Sequence, residues 1–267
     1  MKINTTLMER PCLKTLSHSQ VNAYQEEGFL ILRSVFSATT VEALGKEVDE
    51  IARQHRDRID AKNMRVRFKP DTQTGEPIFE VFDPIADLSP IAYRMAHDER
   101  VLNILHDLYG EPAVLFKEKL IYKPPRSLGA TLHQDWIAWP GFPESFLTVL
   151  VAIDPFTAEA GATEVYPGLH RRGYLSTKDG QHHYLEHDSL GVSPVPLLLY
   201  PGDVAIFGCF APHRSAPNNS STSRRGYFMS YNALSDGGDQ YEKHYREFHD
   251  WIRRKAPADI RDQLYFR

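Results

Sequence analysis

The rhythm of apolar and polar positions changes partway along the 267-residue chain. Ser17-His-Ser-Gln20 has the form of a capping box, the stretch to Glu27 is polar apart from Val21 and Tyr24 on one face, and Gly28 suits a C-terminal cap. A short helix is expected there, followed by a strand at Phe29-Leu-Ile-Leu32. Ser37-Ala-Thr-Thr40 opens a second helix, in which Val41, Leu44, Val48 and Ile51 recur at helical spacing and form a face able to pack on a sheet. Two more helices begin at Ser89-Pro90 and Asp98, the second ending at Gly110. Between Asn63 and Pro84 charged and aromatic residues alternate only loosely, and no element is assigned.

From Ala113 onward the pattern shortens to β-rich runs broken by Pro and Gly: Ala113 to Tyr122, Thr131 to Trp136, Phe146 to Ile153, Val195 to Tyr200, Val204 to Phe207 and Gly226 to Tyr231. Many short strands of this kind predict an antiparallel barrel or sandwich, and Gln240 to Lys255 closes the chain as an amphipathic helix. The expectation is one mainly β domain over 1–267: a helix-rich part to about 110, a β core over about 111–234 and a C-terminal helix over about 239–256.

Composition narrows the function classes. The chain is 42% hydrophobic and 25% charged, as for an ordinary globular protein, and its net charge of −4 gives no broad basic field for nucleic acid. Cys12 and Cys209 lie far apart and form neither a disulfide framework nor a Cys-x-x-Cys pair, which points to a reducing, cytoplasmic setting. No run of about 18 apolar residues marks a membrane span. The expected partner is a small-molecule substrate.

The chemistry concentrates at Leu132-His-Gln-Asp-Trp136. Side chains at i and i+2 of a strand share a face, so His133 and Asp135 can grip one metal ion. His-x-Asp alone is a weak signal, and His55-Arg-Asp57 shows why: on a helix, residues two apart point about 200° from each other and cannot share a metal. His133 differs because its neighbours complete a larger pattern. Downstream come Gly161-Ala-Thr-Glu-Val-Tyr-Pro-Gly-Leu-His170, the turn Pro201-Gly-Asp203, then Pro212-His213-Arg-Ser215, and Arg224 eleven residues after His213.

In this ordered set the sequence resembles the phytanoyl-CoA dioxygenase family of Fe(II)/2-oxoglutarate oxygenases, over about Gly28 to Tyr231. The resemblance implies a double-stranded β-helix of jelly-roll type. It implies His133, Asp135 and His213 as ligands of Fe(II), and Arg224 as the residue that meets the distal carboxylate of 2-oxoglutarate through its planar fork. Ser215 is expected to add a hydroxyl donor, while Gln134 and Lys119 match positions that neighbour the co-substrate in relatives; the alternative for Lys119 is a solvated lysine on an edge strand. His170 and Asp203 are assigned to structural turns. The His182, His183 and His187 cluster is read as part of a flexible loop.

The implied reaction consumes dioxygen and 2-oxoglutarate, releases succinate and CO2 and hydroxylates a substrate C–H bond; Asp135 argues against halogenation, which replaces that carboxylate. Alternatives are a natural-product tailoring oxygenase (desaturating or cyclising), a cupin-type metalloenzyme that does not use 2-oxoglutarate, and a non-catalytic jelly-roll module that binds sugars or peptides. Arg224 discriminates against the cupin-type reading. His-Gln-Asp-Trp followed by Trp-Pro-Gly-Phe-Pro looks like bacterial family members acting on small metabolites, including aminoalkylphosphonates. Trp136, Trp139, Phe142 and Phe146 are candidates for an aromatic substrate wall. Arg65, Arg67 and Lys69 are candidates for holding an anionic group at the pocket mouth.

Overall fold

The computed structural model describes residues 13–137, 141–176, 184–185 and 190–267. Its N-terminal helices form where their caps predict. α1 (His18–Glu27) is opened by the Ser17 and Gln20 capping box and closed by Gly28 in the left-handed region (φ 83°). Only glycine suits that position twice over, since a Cβ there would lie 2.3 Å from His170 Nδ1. β1 (Phe29–Leu32) follows, and Ser37 caps α2 (Ala38–Gln54), which buries Val41, Leu44, Val48 and Ile51. After a hairpin of β2 (Val66–Pro70) and β3 (Pro77–Phe82), α3 (Pro90–Ala96) and α4 (Glu99–Tyr109) begin at Ser89 and Asp98, and α4 ends at Gly110.

The remaining strands are β4 (Ala113–Ile121), β5 (Ala130–His133), β6 (Leu147–Ala152), β7 (Thr163–Val165), β8 (Val195–Pro196), β9 (Val204–Gly208), β10 (His213–Ser215) and β11 (Gly226–Ala233). They form a seven-stranded sheet ordered β1-β9-β6-β11-β4-β3-β2 and a four-stranded sheet ordered β5-β10-β7-β8, with antiparallel pairing throughout. This is the expected jelly roll. Strand parity assigns the two faces of the large sheet. Tyr227, Met229, Val149 and Val151 pack outward with Leu44, Val48 and Leu105 of the helices. Leu150, Ala152, Phe207 and Phe228 face inward with Val165, Leu197 and Ala211. Each fully buried Val, Leu, Phe or Met side chain among them contributes about 1.5–3 kcal/mol.

Two features depart from expectation. The 63–84 segment carries the β2–β3 hairpin, which extends one end of the large sheet, while β1 forms its other end. The helix-rich first 110 residues are therefore woven into the β core. The second feature is a bulge in β4 opposite Ser230 and Tyr231, which pair with Lys117 and Leu115 and leave Phe116 as the extra residue.

α5 (Tyr241–Lys255) crosses one mouth of the core, followed by the short α6 (Ala258–Arg261). Buried hydroxyls fix it there. The Glu118 backbone N–H donates to the Tyr245 oxygen (3.1 Å), Tyr245 reaches the Asp83 carboxylate (3.0 Å), and Tyr241 donates to Glu118 Oε1 (3.1 Å). Burial pushes Glu118 up to about 7, against the backbone N–H groups of Ala86 and Ile85 that donate to its carboxylate.

Candidate active site

β5 and β10 are neighbours in the small sheet, and their register places His133 directly opposite His213. The two imidazole centroids lie 4.2 Å apart. Asp135, two residues past His133, brings Oδ1 to 3.6 Å from His133 Nε2 and 3.7 Å from His213 Nε2. One ligand atom from each of the three residues falls within 4.8 Å of the others. His133 Nδ1 lies 2.7 Å from the Thr131 carbonyl and His213 Nδ1 lies 3.0 Å from the Ala211 carbonyl. Those contacts place a proton on each Nδ1 and turn the Nε2 lone pairs toward Asp135, the orientation in which a histidine binds metal.

Electrostatics agree with the geometry. Burial and the neighbouring His133 push His213 down to about 4, which keeps its imidazole neutral. Burial opposes ionisation of Asp135, yet His213 and His133 hold its carboxyl well below the usual range, and Thr148 Oγ1 donates to Oδ2 (3.0 Å). Two neutral imidazoles and a carboxylate on one side of a point are the donor set that suits a facial Fe(II) site.

A cavity of about 470 Å³ runs from these residues to Arg224, Ser215 and Lys123. Arg224, only 3% exposed, stacks over Phe156 at 4.1 Å, and its Nε and Nη1 have no hydrogen-bond partner among the described residues. A buried guanidinium left in this state is costly unless a ligand satisfies it, and its fork matches a carboxylate. Arg225 faces the other way, where Nε and Nη2 fork onto Asp154 (2.8 and 2.9 Å) and Nη1 reaches Asp49 of α2 (2.6 Å). Ser215 Oγ accepts from Lys123 Nζ (2.8 Å) and from Ala130 N–H (3.1 Å), so its own proton is left for donation. Lys123 also donates to the carbonyls of Gly161 (2.9 Å) and Ala216 (2.5 Å), one acceptor for each N–H of an ammonium.

A second cavity of about 400 Å³ opens beneath α5 and meets the first at Lys117, Lys119, His133, Asp135 and Tyr184. Phe142 and Phe146 stand in its wall. Trp136 packs behind it against Tyr174 and Phe210, and Trp139 lies outside the described residues.

The structure thus brings His133, Asp135 and His213 together and sets Arg224, Ser215 and Lys119 around the adjoining cavity. Lys119 is on an inner strand of the large sheet, not an edge. Gln134 is a correction. Its side chain is fully buried and points away from both cavities, donating to the carbonyls of Gly173 (2.8 Å) and Phe210 (2.7 Å) and accepting from Leu175 N–H (2.7 Å). Both of its N–H donors are spent, leaving none for a co-substrate carboxylate, and Gln134 ties the strand to the loop after it. Arg65 is a second correction: it is buried against Asp87 (2.6 and 2.7 Å) rather than placed at a pocket mouth, although Arg67 and Lys69 line the first cavity.

His170 bonds the Gln25 carbonyl (3.1 Å) and Asp203 accepts from Ser34 and Tyr200 N–H groups (2.9 Å each), both as turn residues. His55 caps α2 and Asp57 is exposed, remote from the trio. His182, His183 and His187 lie outside the described residues. Lys117, Lys123 and Thr148 escaped the sequence reading. The signal for the lysines was present in β4 and just after it, in a strand where Glu118 and Leu120 are buried while Lys117 and Lys119 face the other side.

A sequence model of the phytanoyl-CoA dioxygenase family matches residues 24–226. Among curated proteins, the methylphosphonate hydroxylase of Gimesia maris is 32% identical over 87% of this chain and 86% of its own length. The 2-aminoethylphosphonate dioxygenase of an uncultured bacterium is 28% identical over 83% of each chain. Among solved structures, EctD from S. alaskensis with 2-oxoglutarate and 5-hydroxyectoine superposes with a TM-score of 0.71 at 24% identity, over 88% of this chain and 83% of that one. No helix among the described residues is long and apolar enough to cross a membrane.

Proposed function

The chain belongs to the phytanoyl-CoA dioxygenase family, whose members related to it are 2-oxoglutarate-dependent non-haem iron dioxygenases, and from that premise we propose that it hydroxylates a C–H bond of a small organophosphonate. The co-substrate leaves as succinate and CO2, one oxygen atom of dioxygen entering the succinate and the other the product alcohol. His133, Asp135 and His213 hold the Fe(II), and Arg224 receives the distal carboxylate of 2-oxoglutarate. The observation that carries this reading is the buried Arg224 guanidinium, whose Nε and Nη1 have no partner among the described residues, at one end of a cavity whose other end is the His-Asp-His trio.

Bound iron and 2-oxoglutarate supply the activation of dioxygen and the oxidising power against the C–H bond. The protein's own residues position and exclude. Thr131 and Ala211 carbonyls fix the tautomers of the two histidines, and Thr148 steadies Asp135 with its hydroxyl. Ser215 donates its remaining proton toward the carboxylate held by Arg224, with Lys123 behind it. Phe156, Phe207 and Phe228 keep the surrounding walls apolar, which strengthens those charge-assisted bonds.

Succinate formation tests the reading directly. With Fe(II), 2-oxoglutarate and air, release of succinate is expected to rise well above the substrate-free background on addition of methylphosphonate or 2-aminoethylphosphonate, and to stay at background with an acyl-CoA thioester. Fully coupled turnover of an acyl-CoA, with no response to either phosphonate, contradicts it.

A further inference from the structure

The 400 Å³ cavity beneath α5 has no role in holding the metal or the co-substrate carboxylate, yet the His133 and Asp135 side chains border it directly. Its strand wall is unusual because two successive residues of β4 face it. The bulge turns Phe116 into the cavity beside Lys117, where regular alternation would send one of them outward. Its other wall is one face of α5: Gln240, Lys243, His244, Glu247, Phe248 and Trp251 recur at three- and four-residue spacing. Trp251 is 41% exposed, so this wall reaches solvent and gives a path for exchange.

Among the described residues, neither Lys117, Lys119 nor Lys243 has a carboxylate within ion-pair distance, while Arg214, Arg225 and Arg33 are all paired. Lys117 stands in register with Ser230, Ser230 with Thr148, and Thr148 donates to Asp135. Lys117 is therefore two strands, roughly 10 Å, from the strand that supports the metal carboxylate. Lys119 stands opposite Phe228, with its ammonium 5.8 Å from that ring. His244 adds no charge, since burial and the nearby Lys117 push it down to about 3.

Resting on the dioxygenase reading above, we propose that Lys117, with Lys119 beside it and Lys243 at the rim, seats the phosphonate group of the substrate. A phosphonate offers three acceptor oxygens and more than one negative charge, which suits several compact, rotatable ammonium groups better than a planar carboxylate does. An anion at Lys117 also answers the burial and the adjacent Lys119 charge that now depress the lysine below its usual range. With the head group there, the carbon next to phosphorus points toward the His-Asp-His trio, and the packed Phe116 and Phe142 rings form the apolar wall beside it.

The test is anaerobic calorimetry on the full chain loaded with Fe(II) and 2-oxoglutarate, titrated with methylphosphonate, 2-aminoethylphosphonate and acetate. Lys117→Met is expected to weaken phosphonate binding roughly 10- to 100-fold, the loss of a charged hydrogen-bond donor. Lys243→Met weakens it about threefold, Lys117→Arg retains most of it, and all three variants bind 2-oxoglutarate within about twofold of the parent. Lys117→Arg and Lys243→Met guard against a folding defect in Lys117→Met. Phosphonate affinity unchanged in Lys117→Met, an equal loss of 2-oxoglutarate affinity in that variant, or acetate binding as tightly as the phosphonates overturns the seat. If the parent binds 2-oxoglutarate but neither phosphonate, the seat falls while the dioxygenase reading stands. If the parent binds no 2-oxoglutarate, both fall.

Discussion

At the Arg224 end of the site the polar groups are already aimed by their neighbours, whereas at the α5 end the cations, on a bulged strand and a helix at the surface, have no ion-pair partner among the described residues. Ser215 is fixed by Lys123 and Ala130, and the buried Lys123 by three acceptors. Lys117, Lys119 and Lys243 lack such restraints, and Trp251 opens that wall to water. A site that must take the same dicarboxylate in every turnover gains from preorganisation, since no ordering cost recurs on binding. A site that selects among small metabolites is better placed on a helix, where single side chains can change without disturbing the β core.

The largest effect expected from breaking this arrangement falls where the two cavities meet. Asp135→Ala removes the one anionic ligand, and because loss of a group merely supporting a ligand costs about 10–100-fold in metal affinity, loss of the ligand itself exceeds about 100-fold. Substrate-coupled succinate release is expected to vanish, while His55→Ala and Asp57→Ala leave it nearly unchanged. Retained iron binding in Asp135→Ala would remove the trio from the account.

Next comes the contrast of two adjacent arginines. Arg224→Ala is expected to raise the apparent 2-oxoglutarate constant roughly 10- to 100-fold, because a charged, buried hydrogen-bond pair is lost. Arg225→Ala is expected to change that constant less than about threefold and instead to lower the unfolding midpoint, since its guanidinium ties β11 to Asp154 and α2. Steady-state kinetics and thermal melts on the pair separate the two roles, and equal kinetic effects would contradict them.

A smaller effect sharpens the same end. Burial and the Arg224 charge push Lys123 down to about 6, so a carboxylate set beside both residues favours the protonated ammonium. 2-Oxoglutarate affinity is therefore greatest below about pH 6 and weakens as the pH rises above it. Lys123→Met is expected to flatten this dependence and to raise the 2-oxoglutarate constant about three- to tenfold with kcat little changed. An unchanged pH profile in the variant argues that Lys123 only packs.

How much of this was legible in the sequence depends on whether a local rule or a distant contact decides each residue. The i, i+2 parity of a strand brings His133 and Asp135 together, and the same parity turns Gln134 away, so its placement next to the co-substrate conflicts with the rule that found the ligands. His213 sits on a three-residue strand with no periodicity of its own and could be singled out only through the ordered motif around it. Parity also says that Arg224 and Arg225 point apart, but which one faces inward is fixed by Asp154 and Asp49, far away in the chain. The β2–β3 hairpin was hidden because Arg67, Lys69 and Glu80 sit among its apolar residues, facing a polar cavity where alternation normally means solvent. Lys117 was obscured for the same reason, and the bulge that re-aims Phe116 depends on a register with β11 that begins over a hundred residues later.

The central claim, that one cavity joins a His-Asp-His iron site to a carboxylate-binding arginine, is tested most directly by anaerobic addition of Fe(II) and then 2-oxoglutarate to the protein. The account predicts the weak visible charge-transfer band of an iron-chelated keto acid, saturating at one 2-oxoglutarate per chain, absent in Asp135→Ala and shifted to much higher 2-oxoglutarate concentration in Arg224→Ala. Stoichiometric Fe(II) binding with no such band at any 2-oxoglutarate concentration would contradict it.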